Sequence, residues 1–211
     1  MRRTILGALV AAAALASFVS SASAAHLRTS SQAFRVIWPE WTPEITYGNV
    51  TFKVSCPVTF EGTFHSRTIE KTVGTLFGYF TRATMNEAMC TSRELPETRL
   101  KLLTETLPWH MRYRSFSGLL PNITAVAFDV LGPAIQVNGL PFAGICLYAT
   151  TTAAPLGDQF DLSGGVVSYR TGGFIPLREG NGLCAERAAL SGSGGRTTMQ
   201  GSTSLITVTL I

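Results

Sequence analysis

Alternation is the feature that most narrows the fold. In VTFKVSC, Val50, Phe52 and Val54 fall on one face, and Thr51, Lys53 and Ser55 on the other. Branched and aromatic side chains at period two suit a pleated, half-buried surface, so this is strand chemistry. The same habit returns in VTFEGTF and RLKLLTETL, ITAVAFDVL and GICLYATT are apolar enough for central strands, GGVVSYR reads as a shorter one, and FRVIW (34–38) as a first strand. TSLITVTLI (203–211) reads as a last strand held inside a sheet. Many short strands separated by turn signals predict an antiparallel β-sandwich or β-barrel.

Three glycine-rich stretches read as connections: PLGDQFDLSGG, RTGGFIPLREGNG and SGSGGRTTMQGS. His26 to Gln32 is polar and reads as a loose arm. One segment departs from period two. In SRTIEKTVGTLFGYFTRA, Ile69, Val73, Leu76, Phe77 and Phe80 recur at helical spacing, which predicts one short helix over 67–81. No repeat and no low-complexity linker divides the chain.

The N-terminus has Arg2 and Arg3, an apolar run from Ile5 to Val19, and Ala22-Ser23-Ala24 before a cut expected ahead of Ala25. That order is a secretory signal peptide, residues 1–24, followed by one secreted β-rich domain, 25–211. The run is too short and alanine-rich for a spanning helix, so no membrane span is expected in the mature form. Losing Arg2 and Arg3 lowers the formal charge from +4 to +2, and only 14% of residues are charged. A nucleic-acid partner is therefore not expected.

Cys56, Cys90, Cys146 and Cys184 all follow the leader. An even number in an exported chain predicts two disulfides. Cys56–Cys90 with Cys146–Cys184 closes the shorter loops and is the favoured pairing, with the other two left open. No CxxC and no finger-like histidine spacing is present, so no metal site and no cofactor are expected.

The densest chemistry is LPWHMRYRSFSGLLPNIT (107–124). On a strand, Trp109, Met111, Tyr113 and Ser115 face the core, while His110, Arg112, Arg114 and Phe116 face out. His110, Arg112 and Arg114 are the candidate ligand-binding residues, since guanidinium groups suit an anionic ligand. FHSRTI, GYFTRA and LPWHMRYRSFSGLLPNIT, with the flanking cysteines, resemble segments of uncharacterised exported proteins from actinobacteria, over about Cys56 to Thr124. The resemblance implies a single secreted domain and carries no activity or site.

Neither GxSxG, HExxH nor a phosphate-cradling loop is present, so no catalytic residue is assigned. Asp158 with Asp161, and Glu179 with Glu186, are the only spaced carboxylate pairs of note. The reading is a secreted non-catalytic binding or surface-interaction module. Its surface is expected around 156–183, with Trp41, Trp109 and Tyr148 as candidate anchors. A barrel enclosing a small apolar molecule is one form of it. The alternative is a secreted hydrolase using His65 or His110 with a carboxylate partner, which requires those groups to meet in one cleft.

Overall fold

The structure, a computed structural model, describes residues 26–94, 97–119, 122–140, 144–162 and 168–211, with the backbone alone at 119 and 122. The segment expected to be a signal peptide, 1–24, lies outside the described residues. In chain order the strands are β1 (His26–Thr29), β2 (Ala33–Tyr47), β3 (Val50–Lys53), β4 (Cys56–Phe64), β5 (Thr68–Glu70), β6 (Leu76–Met85), β7 (Arg99–Leu102), β8 (Trp109–Leu119), β9 (Asn122–Leu131), β10 (Ala134–Leu140), β11 (Gly144–Ala149), β12 (Leu156–Asp161), β13 (Ser168–Glu179), β14 (Arg187–Met199) and β15 (Val208–Leu210).

Eight of them close into an antiparallel barrel, in the order β12, β9, β8, β6, β4, β2, β14, β13, with β13 pairing back onto β12. Closure removes the sheet edge, the commonest liability of an open β-structure. The barrel is one of the two architectures the alternation predicts. Inward positions are aromatic and aliphatic: Phe34, Val36, Trp38, Phe60, Phe80, Trp109, Phe128, Phe160 and Tyr169 are all at most 6% exposed. Their rings meet edge to face or tilted, as in Trp38–Tyr169 at 4.6 Å and Phe128–Phe160 at 4.8 Å between centroids. Aromatic pairs favour these geometries because the ring edge is positive and the face negative.

So many large rings in an eight-stranded barrel need small residues opposite. Glycine supplies them. A Cβ on Gly195 would lie 2.3 Å from Trp38 Nε1, and one on Gly62 would lie 2.5 Å from Phe34 Cζ. This corrects the reading of the glycine-rich segments as loops. Residues 156–161, 168–179 and 187–199 are barrel strands, and their glycines mark close approach of backbone to rings. Residues 163–167, part of two quoted segments, lie outside the described residues.

The predicted helix over 67–81 is absent. β5 and β6 occupy that range, joined by a turn in which Gly74 has φ +87°. The helical spacing of Ile69, Val73 and Phe77 is accidental, since Ile69 is buried, Phe77 is buried elsewhere, and Val73 is 74% exposed. Among the described residues, no helix is long and apolar enough to cross a membrane.

Both ends of the barrel are covered. At one end the chain makes two excursions, β7 between β6 and β8, and β10–β11 between β9 and β12. β7, β10 and β11 pair in sequence, and β11 pairs with the far half of β13. This flap turns Leu100, Leu102, Ile135, Val137 and Tyr148 inward. Both disulfides lie here. Cys56–Cys90 ties the start of β4 to the segment leading into β7, and Cys146–Cys184 ties β11 to the β13–β14 turn. These are the favoured pairs.

At the other end β15, β1 and β5 form a small antiparallel sheet. Leu27 sits between Leu210 and Ile69 and is fully buried. The expected loose arm is thus a strand, because Leu27 and the backbone of its neighbours find partners on both sides. The last strand is not internal: only Val208–Leu210 is extended, and it lies at the edge of this sheet.

Candidate functional site

Strand β8 divides the dense stretch between two faces as its alternation predicts. Trp109, Met111 and Tyr113 are buried, while His110 and Arg112 point out. A bulge between Tyr113 and Ser115 breaks the period, so Ser115 is exposed and not on the core face. Arg112 Nη2 lies 2.8 Å from Asp129 Oδ2, and Arg114 Nη1 lies 3.5 Å from Asp129 Oδ1. One β9 carboxylate therefore holds both guanidinium groups. A second hub of the same kind stands further round the barrel on β2, β4 and β6, where Arg35 Nε donates to Glu61 Oε1 at 2.8 Å and Arg82 and Gln200 approach the other oxygen. The Arg35 hydrogen bond holds the Glu61 carboxyl below its usual range, against the opposing effect of burial.

His110 and His65 do come to one region, separated by Tyr79. The ring centroids are 6.2 Å apart for Tyr79–His110 and 5.6 Å for His65–Tyr79. Among the described residues neither imidazole has an acidic hydrogen-bond partner, and His110 Nδ1 is buried with no partner at all. No group of three or more metal-ligating side chains occurs among the described residues. The carboxylate pairs are also divided. Asp158 points into the barrel, whereas Asp161 points out and meets Arg170 at 3.1 Å. Glu179 and Glu186 are exposed on either side of the β13–β14 turn.

Inside the barrel, Asp158 accepts a hydrogen bond from the Tyr169 hydroxyl. Burial pushes the Asp158 carboxyl up to about 7, outweighing the nearby Thr171 and Tyr169 hydroxyls and Arg114, which favour the charged form. The interior void beside it is about 10 Å³. That is one water's worth, far below the several hundred Å³ of an ordinary small-molecule pocket. Among the described residues, this void has no room for the expected enclosed apolar molecule. Trp41, Trp109 and Tyr148, the candidate anchors, are core residues at 2%, 1% and 0% exposure.

The larger concavities lie on the outer wall. Along β14 the outward residues are Ala189 and Ser191, with Gly172 beside them on β13. Small side chains there leave a trough between taller neighbours on β2 and β13. Along it lie two neighbouring concavities of about 560 and 630 Å³, which share no lining residue. The first is bordered by Glu40, Thr42, Arg170 and Ser193. The second is bordered by Glu44, Thr46, Phe174 and Arg187. Thr42 pairs with Ser191 and Glu44 with Ala189, so the concavities occupy successive outward positions of the same strands. From Ser193 to Arg187 the trough runs six residues, about 20 Å. Phe174 is 51% exposed and carries the Arg187 guanidinium 4.1 Å above its ring.

The sequence reading placed a binding surface around 156–183 but as loops. The trough shares Arg170, Thr171 and Phe174 with that range and owes its floor to residues beyond it. The available signal was the row of small residues in AALSGSG (188–194), which a loop reading discards. Comparison with protein-family models, with curated proteins and with solved structures finds no match to this chain.

Proposed function

We propose that this protein is an exported, non-catalytic binding module that holds an extended, hydroxyl-rich ligand, an oligosaccharide, along the outer face of β2, β14 and β13. The observation that carries the reading is the trough itself. It is long, shallow and floored by Ala189, Ser191 and Gly192, and it is rimmed by hydroxyls, by charges of both signs and by one exposed aromatic ring. A sugar chain presents alternating hydroxyl groups and apolar C–H faces. The first suit Thr42, Ser191, Glu44 and Arg170, and the second suit Phe174. A strongly anionic polymer suits the trough less, because Glu40, Glu44 and Glu186 line it.

Export is supported by the N-terminal leader pattern and by two disulfides, which persist in oxidising compartments. The outer wall carries ion pairs on β2, β4, β8, β9, β12 and β13. Charges on a lipid-facing wall are costly at mid-bilayer depth, which favours a barrel standing in water. An anion site at His110, Arg112 and Arg114 is the weaker reading, since Asp129 already engages both arginines.

The test is a panel of soluble oligosaccharides titrated calorimetrically against oxidised residues 25–211. Binding to a member of the panel, lost by at least tenfold in Phe174→Ala and blocked in Ser191→Trp, supports the trough. Binding that survives both variants, or no binding across the panel, sinks it.

A further inference from the structure

The strand pair that closes the barrel carries a polar cluster on its inner face. Asp158 of β12 lies opposite Thr171 of β13. Both are buried, at 4% and 3% exposure. The Tyr169 hydroxyl, on the same inner face, occupies Asp158 Oδ2. The Thr171 hydroxyl lies close enough to favour the charged carboxylate, but Asp158 Oδ1 and Thr171 Oγ1 do not meet in hydrogen-bond geometry and have no other partner among the described residues, and Trp41 Nε1 on β2 has none either. All three residues border the same enclosed void of about 10 Å³. Its other walls are apolar: Phe60, Phe80, Trp109 and, from the flap side, Leu102 and Ile135.

A buried polar atom with no partner is costly and rare, and three around one void call for one occupant. The donor set selects it. Trp41 Nε1 can only donate, so the occupant needs a lone pair. A metal cation or ammonium has none to offer. Ionised Asp158 Oδ1 and the Thr171 hydroxyl oxygen can accept, so the occupant also needs hydrogens. An anion is repelled by the carboxylate. A void of this size admits about one water, and water meets both requirements.

We propose that the void is a one-water site, in which a single water accepts from Trp41 Nε1 and donates to Asp158 Oδ1 and Thr171 Oγ1. It ties β2 to the β12–β13 pair that closes the barrel, past the intervening β14. Because burial pushes the Asp158 carboxyl up to about 7, Oδ1 is protonated in part of the population near neutrality. The water then turns a second lone pair toward it and keeps the same position.

The experiment is a crystal structure of oxidised residues 25–211 at about 1.5 Å or better, from sodium- and potassium-free and ammonium-free conditions, for the wild type and Thr171→Val. The wild type is expected to show one isolated density peak at about 2.7–3.2 Å from Trp41 Nε1, Asp158 Oδ1 and Thr171 Oγ1. In Thr171→Val the peak is lost or weakened. An empty void, or a direct hydrogen bond between Asp158 and Thr171 that fills it, overturns the proposal. So does a peak that survives unchanged in Thr171→Val. Should that variant fail to fold, oxygen-17 relaxation dispersion on Trp41→Phe decides in solution. The number of long-lived internal waters falls by one if the site is real and stays the same if it is not.

Discussion

The two ends of the barrel are closed by different means. The flap end is covered by β7, β10 and β11, excursions inserted between barrel strands, and each excursion is stapled by a disulfide. The opposite end is covered by the first and last of the described strands, β1 and β15, with β5, and has no covalent tie among the described residues. What holds the terminal sheet is burial of Leu27, Ile69 and Ile206, with backbone pairing on both sides of β1. The difference follows from chain geometry. An excursion such as β10–β11 can peel away as a unit, and a cross-link limits that freedom in the unfolded and partly unfolded states. Terminal strands fray readily, and here each serves as the other's partner.

The comparison breaks if the ends turn out to be coupled. The largest effect is expected from the disulfides. Replacing all four cysteines with serine should cost about 2–5 kcal/mol per bridge. Amide hydrogen exchange should rise first in β7, β10 and β11, before the terminal sheet. Uniform acceleration across the molecule would mean the flap is not a separate unit.

Next is Leu27→Ala. Leu27 is fully buried, and truncation of a buried leucine costs about 2–5 kcal/mol. Exchange should accelerate in β1, β5 and β15, and the flap should keep its protection. Faster exchange in the flap instead would tie the two ends together.

Asp158→Asn tests the interior between them. The folded pKa of Asp158 is raised from 3.8 to about 7. The folded state therefore holds its proton more tightly than the unfolded state. The stabilising contribution is complete below about pH 4 and is lost as pH rises through about 7. The asparagine variant does not titrate, so its melting temperature relative to wild type should climb between pH 5 and pH 8. A constant difference over that range would show that Asp158 does not titrate there.

The smallest effect is expected from Arg114→Ala. Arg114 is about half exposed and shares Asp129 with the closer Arg112. Exposed ion pairs are worth about 0–1 kcal/mol, so denaturant midpoints should barely move. A loss above about 2 kcal/mol would give the β8–β9 hub a structural weight beyond an exposed pair.

Legibility in the sequence followed side-chain size. Where strands carry large alternating residues, as in Trp109 to Tyr113 or Cys56 to Phe64, period two showed in the sequence and the structure agrees. Where strands carry glycine, alanine and serine, as in β14, there was no alternation to see. The inward Gly195 and Gly62 are explained only by Trp38 and Phe34, which lie on β2, more than a hundred residues from Gly195. The trough was hidden for the same reason, since its floor is made of those small outward residues. His110, Arg112 and Arg114 were legible as an outward row, but their shared partner Asp129 was not, because cross-strand register joins β8 to β9.

By itself the sequence determined the strand-rich character, the faces taken by the large residues of strands such as β4 and β8, and an even set of cysteines for which the shorter loops were the favoured closure. These are local properties, set by the two-residue period of the backbone and by chain entropy. The tertiary structure alone decided that β12 meets β13 to close a barrel, that glycines stand as strand residues against rings, and that Ile69 and Phe77 belong to different sheets. Each depends on contacts between segments distant in the chain, and no local pattern encodes which distant surface a residue will meet.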